Sequence, residues 1–420
     1  MDPAKKNWLN RLVEKLEQGF EHNGNKFLML YAFKGQPTVF VNNLLHASGL
    51  QFGYTDQHLF CDFKEDKLWS IADHIKVALT ECLISIYLHH KQSTKETIKQ
   101  DINDAIVSLY DFYKIYSPTK LKKNKSFFGV DRSPFELVEY AIKVRISDSN
   151  MFQNKYWKGS IFNTFVFLDL PYYSNWLNSG SIKDELKLED AKTIILKTII
   201  AAGWCNGELK NQTKILLNYF ASSAILSKDT HKEINFLVKN GLAKENINYP
   251  KMTPIFKEII VKSALITILA DRTIEEKEQE FLDFLLNKLE LTSNTLEENT
   301  IYTQAFLFKY YNKVTYLKNQ HSFEIISKVF THNFSTMIKK NRSNIIEEVS
   351  ESKELVELLW KAKNQSLTPE EKEKVKRQLT DILRTIPSFA IFIIPGGSVI
   401  LPIILKILPD ELLIPSSFRN

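Results

Sequence analysis

The sequence predicts a mostly helical, all-α protein, and three observations predict it. Glycine and proline are scarce, 13 each in 420 residues, whereas strand-rich and nucleotide-binding folds need glycine for turns and phosphate loops. Apolar residues recur at helical spacing from Trp69 almost to the end of the chain. Helix starts are also marked repeatedly by a hydroxyl with a carboxylate three residues on, a pair that satisfies amides the first turn leaves without partners.

Taken in order, residues 5–20 read as an amphipathic helix with Trp8, Leu9, Leu12, Val13, Leu16 and Phe20 on one stripe. Residues 26–62 differ. They are aromatic and β-branched, punctuated by Gly35, Pro37, Gly49 and Gly53, and leave room for a small β element. Beyond Trp69, capping patterns stand at Ser181–Asp184, Thr230–Glu233, Thr273–Glu276 and Thr368–Glu371. The last is the strongest, because Pro369 occupies a first-turn position that needs no amide donor. The expected organisation is an N-terminal helical domain at 1–180, a duplicated helical region at 185–300, a helical connector at 301–354 and a C-terminal segment at 355–420, with a candidate membrane stretch at 386–408.

The duplication is read without gaps at an offset of 65 residues. Ile195-Leu196-Lys197-Thr198 lies over Ile260-Val261-Lys262-Ser263, Asn206 over Asp271, Leu216-Leu217 over Phe281-Leu282, and Leu226-Ser227 over Leu291-Thr292. Duplicated hairpins of this kind bury their apolar faces against one another. The turn Ala270-Asp271-Arg272-Thr273-Ile274-Glu275-Glu276 resembles that of the TerB-like helical domain, a family associated with divalent metal. Asp271, Glu275 and Glu278 are the candidate ligands, since carboxylate oxygens suit calcium or magnesium. Asn206, Gln212 and Thr213 replace the acids in the first copy, so negative charge at a helix N-terminus is the favoured reading.

Composition narrows the function. With 55 basic and 49 acidic groups, the surface is mixed, and sequence-specific nucleic-acid recognition is not expected. Cys61, Cys82 and Cys205 are widely separated, against a disulfide framework or zinc ribbon. The N-terminus lacks an apolar signal core, which points to a reducing, cytoplasmic side. No G-x-S-x-G, Walker A, G-x-G-x-x-G or DFG pattern occurs. No nucleophile with a plausible base stands out, so a non-enzymatic protein without an organic cofactor is expected. His74 and Glu81 are seven residues apart rather than at helical metal-pair spacing, and with His89 and His90 they read as solvent-facing or capping. The aromatic-basic run Phe308–Tyr316 reads as core.

The C-terminal segment is the most informative. A basic helix, Lys372 to Arg384, carries Leu379, Ile382 and Leu383 on its apolar face. Seventeen uncharged residues follow, Phe389 to Leu405, at the short edge of what spans hydrocarbon. Pro395 and Pro402 would kink a span there. Phe389, Phe392, Pro395, Pro402 and Lys406 are the candidate membrane-contact residues, and Lys372, Lys374, Lys376, Arg377 and Arg384 place the upstream helix on the cytoplasmic face. The order Thr368, Glu371, Asp381, Arg384, Pro387, Pro409, Pro415 and Phe418, set around that apolar run, resembles the Letm family. This resemblance implies a membrane-associated scaffold, with membrane lipid and a protein partner or the ribosome as contacts. It also implies, as alternatives, cation/proton transport or ribosome binding. The layout is similar to Letm-related bacterial proteins described as biofilm-associated, which implies a stress-linked role at the cytoplasmic side of the inner membrane or in the cytoplasm. Transport requires an ionisable group in the apolar run, and none is present. The family's ribosome-binding region is expected to continue beyond Asn420.

Overall fold

The computed structural model describes residues 1–22, 30, 33–61, 63, 66–117, 132–147, 162–181, 186–270, 274–314, 316–317, 323–385 and 397–409. Among them are 17 α-helices and no strands, so the all-α expectation holds. Helix α1 (Trp8–His22) buries the stripe read from the sequence, Trp8 through Phe20. The β element anticipated within 26–62 does not form among the described residues. Instead α2 (Pro37–Ser48) starts on Pro37, and a 3-10 turn follows at Leu50–Phe52. Gly49 and Gly53 hold left-handed φ values of 67° and 65°; they end the helix and the 3-10 turn rather than turning a hairpin.

Helices α3 (Ile71–Lys91), α4 (Ile98–Tyr116), α5 (Pro134–Ser147) and α6 (Asp169–Ser179) pack on one another and on α1 and α2. Next come two triplets: α7 (Leu188–Trp204), α8 (Asn211–Ser223) and α9 (Lys228–Asn240), then α10 (Pro254–Leu269), α11 (Glu276–Leu289) and α12 (Ser293–Tyr310). α10 is the centre of the bundle, with 13 of its 16 residues buried.

The two triplets share several features at the 65-residue offset. α8 and α11 begin 65 residues apart, as do α9 and α12, and α7 and α10 end 65 apart. Ile225 and Glu290, at the same offset, share φ values of 51° and 53°. Ser227 and Thr292 each accept a hydrogen bond from a threonine amide three residues on, Thr230 and Thr295. Thus Ser227, not Thr230, caps α9. Lys210 and Glu275, also 65 residues apart, form an ion pair with each other at 3.1 Å.

The remaining helices are α13 (Phe323–Lys340), α14 (Arg342–Glu351), α15 (Lys353–Asn364), α16 (Pro369–Thr385) and α17 (Gly397–Ile407). Two apolar cores result. The first runs from Trp8 through Leu317 and takes in Ile326; the second joins Ile301 and Ala305 to side chains of α13–α17. Helix α12 serves both, turning Phe306, Leu307 and Tyr310 to the first core and Ile301 and Ala305 to the second. The run Phe308–Tyr316 is core as read, with Tyr310, Tyr311 and Tyr316 buried.

Candidate functional site

The C-terminal module is built on α16. Glu371 N donates to Thr368 Oγ1 at 3.2 Å, and Thr368 N donates to Glu371 Oε2 at 2.9 Å. This reciprocal cap starts the helix where the sequence placed it. Val375, Leu379 and Leu383 then fall on one buried face, with Ile382 half-buried beside them. The flanks of α16 are tied to α15: Lys361 pairs with Glu371 at 2.5 Å, Lys374 pairs with Glu354, and Gln378 Nε2 donates to Glu354 Oε2 at 2.8 Å. Glu354 and Glu371 are held below the usual carboxylate range chiefly by these lysine hydrogen bonds. Lys372, Glu373 and Arg377 remain exposed on the outer face.

Helix α17 lies against α16 and α13. Ile403, Ile404, Ile407 and Leu408 are buried in the second core, whereas Pro402 and Lys406 are exposed. Arg342 Nε donates to the Ile407 carbonyl at 2.7 Å, satisfying an acceptor that the helix end leaves open. Eleven residues give about 17 Å of helix, against ~30 Å of bilayer hydrocarbon. No helix among the described residues is long and apolar enough to cross a membrane.

Of the motif residues, Thr368 and Glu371 form the cap, Asp381 is half-buried on α16, Arg384 belongs to the last turn of α16, and Pro409 is half-buried after α17. Pro387, Pro415 and Phe418, and the candidate membrane-contact residues Phe389, Phe392 and Pro395, lie outside the described residues.

Of the candidate metal ligands, Asp271 also lies outside them. Glu275 accepts from Asn206 Nδ2 at 2.8 Å and pairs with Lys210, while the Glu278 carboxylate accepts from Glu275 N at 2.8 Å. Together they cap α11. No group of three or more metal-type ligands occurs among the described residues.

The histidine reading is corrected. His74, Glu81 and His89 are buried, and of the four only His90 faces solvent. Glu81 accepts from the amides of Leu59 and Phe60 at 3.0 and 3.4 Å. His58 sits between it and His74, at 3.7 and 3.2 Å. His58 lies on the loop before α3 rather than on the helix itself, so helical spacing could not reveal this trio.

A second polar cluster escaped the sequence reading. Lys262, on α10, is 0 % exposed and donates to Asn42 Oδ1 on α2, while Asn42 Nδ2 donates to Glu258. Burial lowers the Lys262 ammonium to about 7. His46, one turn beyond Asn42, stacks on Tyr302 of α12 at 3.8 Å and is kept well below its ordinary range, first by burial and then by Lys262. The signal was available: Lys262 is the sole charge in the run Ile259–Ala270.

Residues 367–420 match the LETM1-like, RBD family model. That match supports the Letm resemblance in the C-terminal region, on the stretch that begins at the Leu367–Thr368 cap. It gives the RBD label to 367–420 itself, whereas the sequence had placed ribosome binding beyond Asn420. Nothing attaches the TerB-like name to the duplicated triplets. No curated protein and no solved structure matches the chain.

Proposed function

We propose that this chain is a non-enzymatic, Letm-related docking scaffold whose C-terminal module binds the ribosome. The match of 367–420 to a ribosome-binding-type family model carries the reading. The geometry favours it as well. α16 is fixed on α15 by ion pairs, and its outer face presents Lys372 and Arg377. Such cations neutralise RNA phosphates without reading sequence, and their contribution falls with salt. Purified full-length chain is expected to co-sediment with ribosomes at low salt, less at high salt, and less again as K372E/R377E. Protein that stays in the supernatant at low salt overturns the proposal.

A second reading, membrane association with the bulk of the chain on the cytoplasmic face, is favoured by the uncharged run Phe389–Leu405 with basic residues upstream. Because α17 buries Ile403, Ile404 and Ile407 in the module, bilayer contact in this reading falls to the Pro402–Lys406 face and to residues 386–396. Deleting 386–420 is expected to move the protein from the membrane pellet to the supernatant. Full-length protein that is already released by a carbonate wash and monomeric without detergent sinks this reading.

A further inference from the structure

Helix α12 is the element both cores share, and the polar cluster around Lys262 lies on its bundle-facing side. We propose that this cluster is a proton-operated latch: protonation of Lys262 loosens α12, and with it the C-terminal module, from the main bundle.

The groups involved come from three helices. α10 supplies Lys262 and Glu258, four residues apart on one face. α2 supplies Asn42 and His46, and α12 supplies Glu298, Asn299 and Tyr302. Glu258 is the charge that stabilises the ammonium, acting across the Asn42 amide. α7 and α11, packed on the other sides of α10, contribute no charge that acts on it. The His46 ring nitrogens make no well-formed hydrogen bond, and neither does Asn299 Oδ1. A neutral amine fits this setting with its one amide partner, whereas an ammonium has two donors unmet and lies beside a histidine that cannot charge with it. Glu258 and Asn42 are half-buried and Glu298 is exposed, so protons have a short route in from solvent.

α12 is the part that gives way. α10 is enclosed by the bundle, and the 3-10 turn that follows α2 is tied to it through Gln51 Nε2, which donates to the Ile259 carbonyl at 2.9 Å. α12 also packs on α10 and keeps Phe306, Leu307 and Tyr310 in the large core, but of these three helices it is the one that reaches the smaller core, through Ile301 and Ala305, and Glu297 pairs with Lys340 of α13 at 2.6 Å. Movement of α12 therefore carries α13 with it and admits water to Lys262.

The size of the effect follows from linkage. With Lys262 titrating near 7 when latched and near its ordinary 10.5 when hydrated, the opening constant rises about 50-fold from pH 9 to pH 7. That window lies above the range in which a hydrated His46 takes up protons.

Hydrogen exchange followed by mass spectrometry on the full chain at pH 9 and pH 7, corrected for intrinsic rate, tests the latch. Peptides of α12 and the start of α13 should exchange tens of times faster at pH 7, while the middle of α10 stays protected. Lys262→Met and Lys262→Gln should both abolish the difference, the glutamine keeping a donor for Asn42 if methionine does not fold. Equal protection of α12 at the two pH values overturns the proposal. So does a difference that persists in either folded variant, or one shared equally by every helix of the bundle.

Discussion

The two cores solve the same problem with different chemistry. The large one buries Glu81, Asp101, Asp169, Lys192, Lys262 and Glu278. The small one, over described residues 323–409, buries only apolar side chains and keeps its ion pairs at the surface. A large bundle can bring several helices to one point and so give a buried charge its partners. Asp169 illustrates this: it is 0 % exposed, pairs with Arg145 and accepts from Tyr113 Oη at 3.0 Å. Arg145 also lies over the ring of Tyr116 at 5.1 Å. Five helices around a small centre do not surround a charge in that way, and desolvation of each ion costs several kcal/mol unless every donor and acceptor is met. A small module is therefore cheapest with a purely apolar centre.

The largest expected effect is at the buried pair. Arg145→Ala strands the Asp169 carboxylate and should cost about 3–5 kcal/mol, read as a fall in the denaturation midpoint of the main bundle. A loss below ~1 kcal/mol would mean that solvent reaches Asp169 and that the contrast between the cores is overstated.

Leu359→Ala, in the apolar core of the module, should cost about 2–5 kcal/mol. The loss should be local. Exchange protection should drop over 323–385 and 397–408 and stay intact in α3. If α3 loosens equally, the two cores are one cooperative unit.

Lys262→Met sharpens the comparison from the other side. Because burial lowers the folded-state value from 10.5 to about 7, stability is fully present above pH 10.5 and is lost as pH falls toward 7; His46, also lowered, adds a further loss below 6.5. Native protein should therefore become more stable between pH 7 and 10, and the variant should lack most of that slope. At neutral pH the variant should gain about 2 kcal/mol, the relief of the buried charge being partly offset by the unmet Asn42 carbonyl. A variant with the native slope would place the titration elsewhere.

Thr368→Ala tests the smallest term. Loss of the cap that starts α16 should cost about 1 kcal/mol, seen as a shift in the module's transition with the main bundle unmoved. An unchanged midpoint would mean that the packing of Leu379 and Leu383 alone positions the helix.

Much of this molecule was legible in the sequence because the deciding interactions are local. The α1 stripe, the Thr368–Glu371 cap and the apolar face of α16 depend on residues within a few turns of one another, and helix geometry fixes which of them meet. The duplication was legible for a related reason: two copies of one local pattern keep the same offset, down to the left-handed positions 225 and 290. The region 26–62 misled because glycine and β-branched residues serve a helix stop as readily as a hairpin, and only the packing of α2 against α3 and α10 chose between them. The buried groups were not legible at all. Glu81 meets His58 through a loop, Asp169 meets Arg145 from another helix, and Lys262 meets Asn42 from 220 residues away. The charge state of such groups is set by burial and by partners distant in sequence, so the tertiary fold alone decided which polar side chains became neighbours and which of them respond to pH.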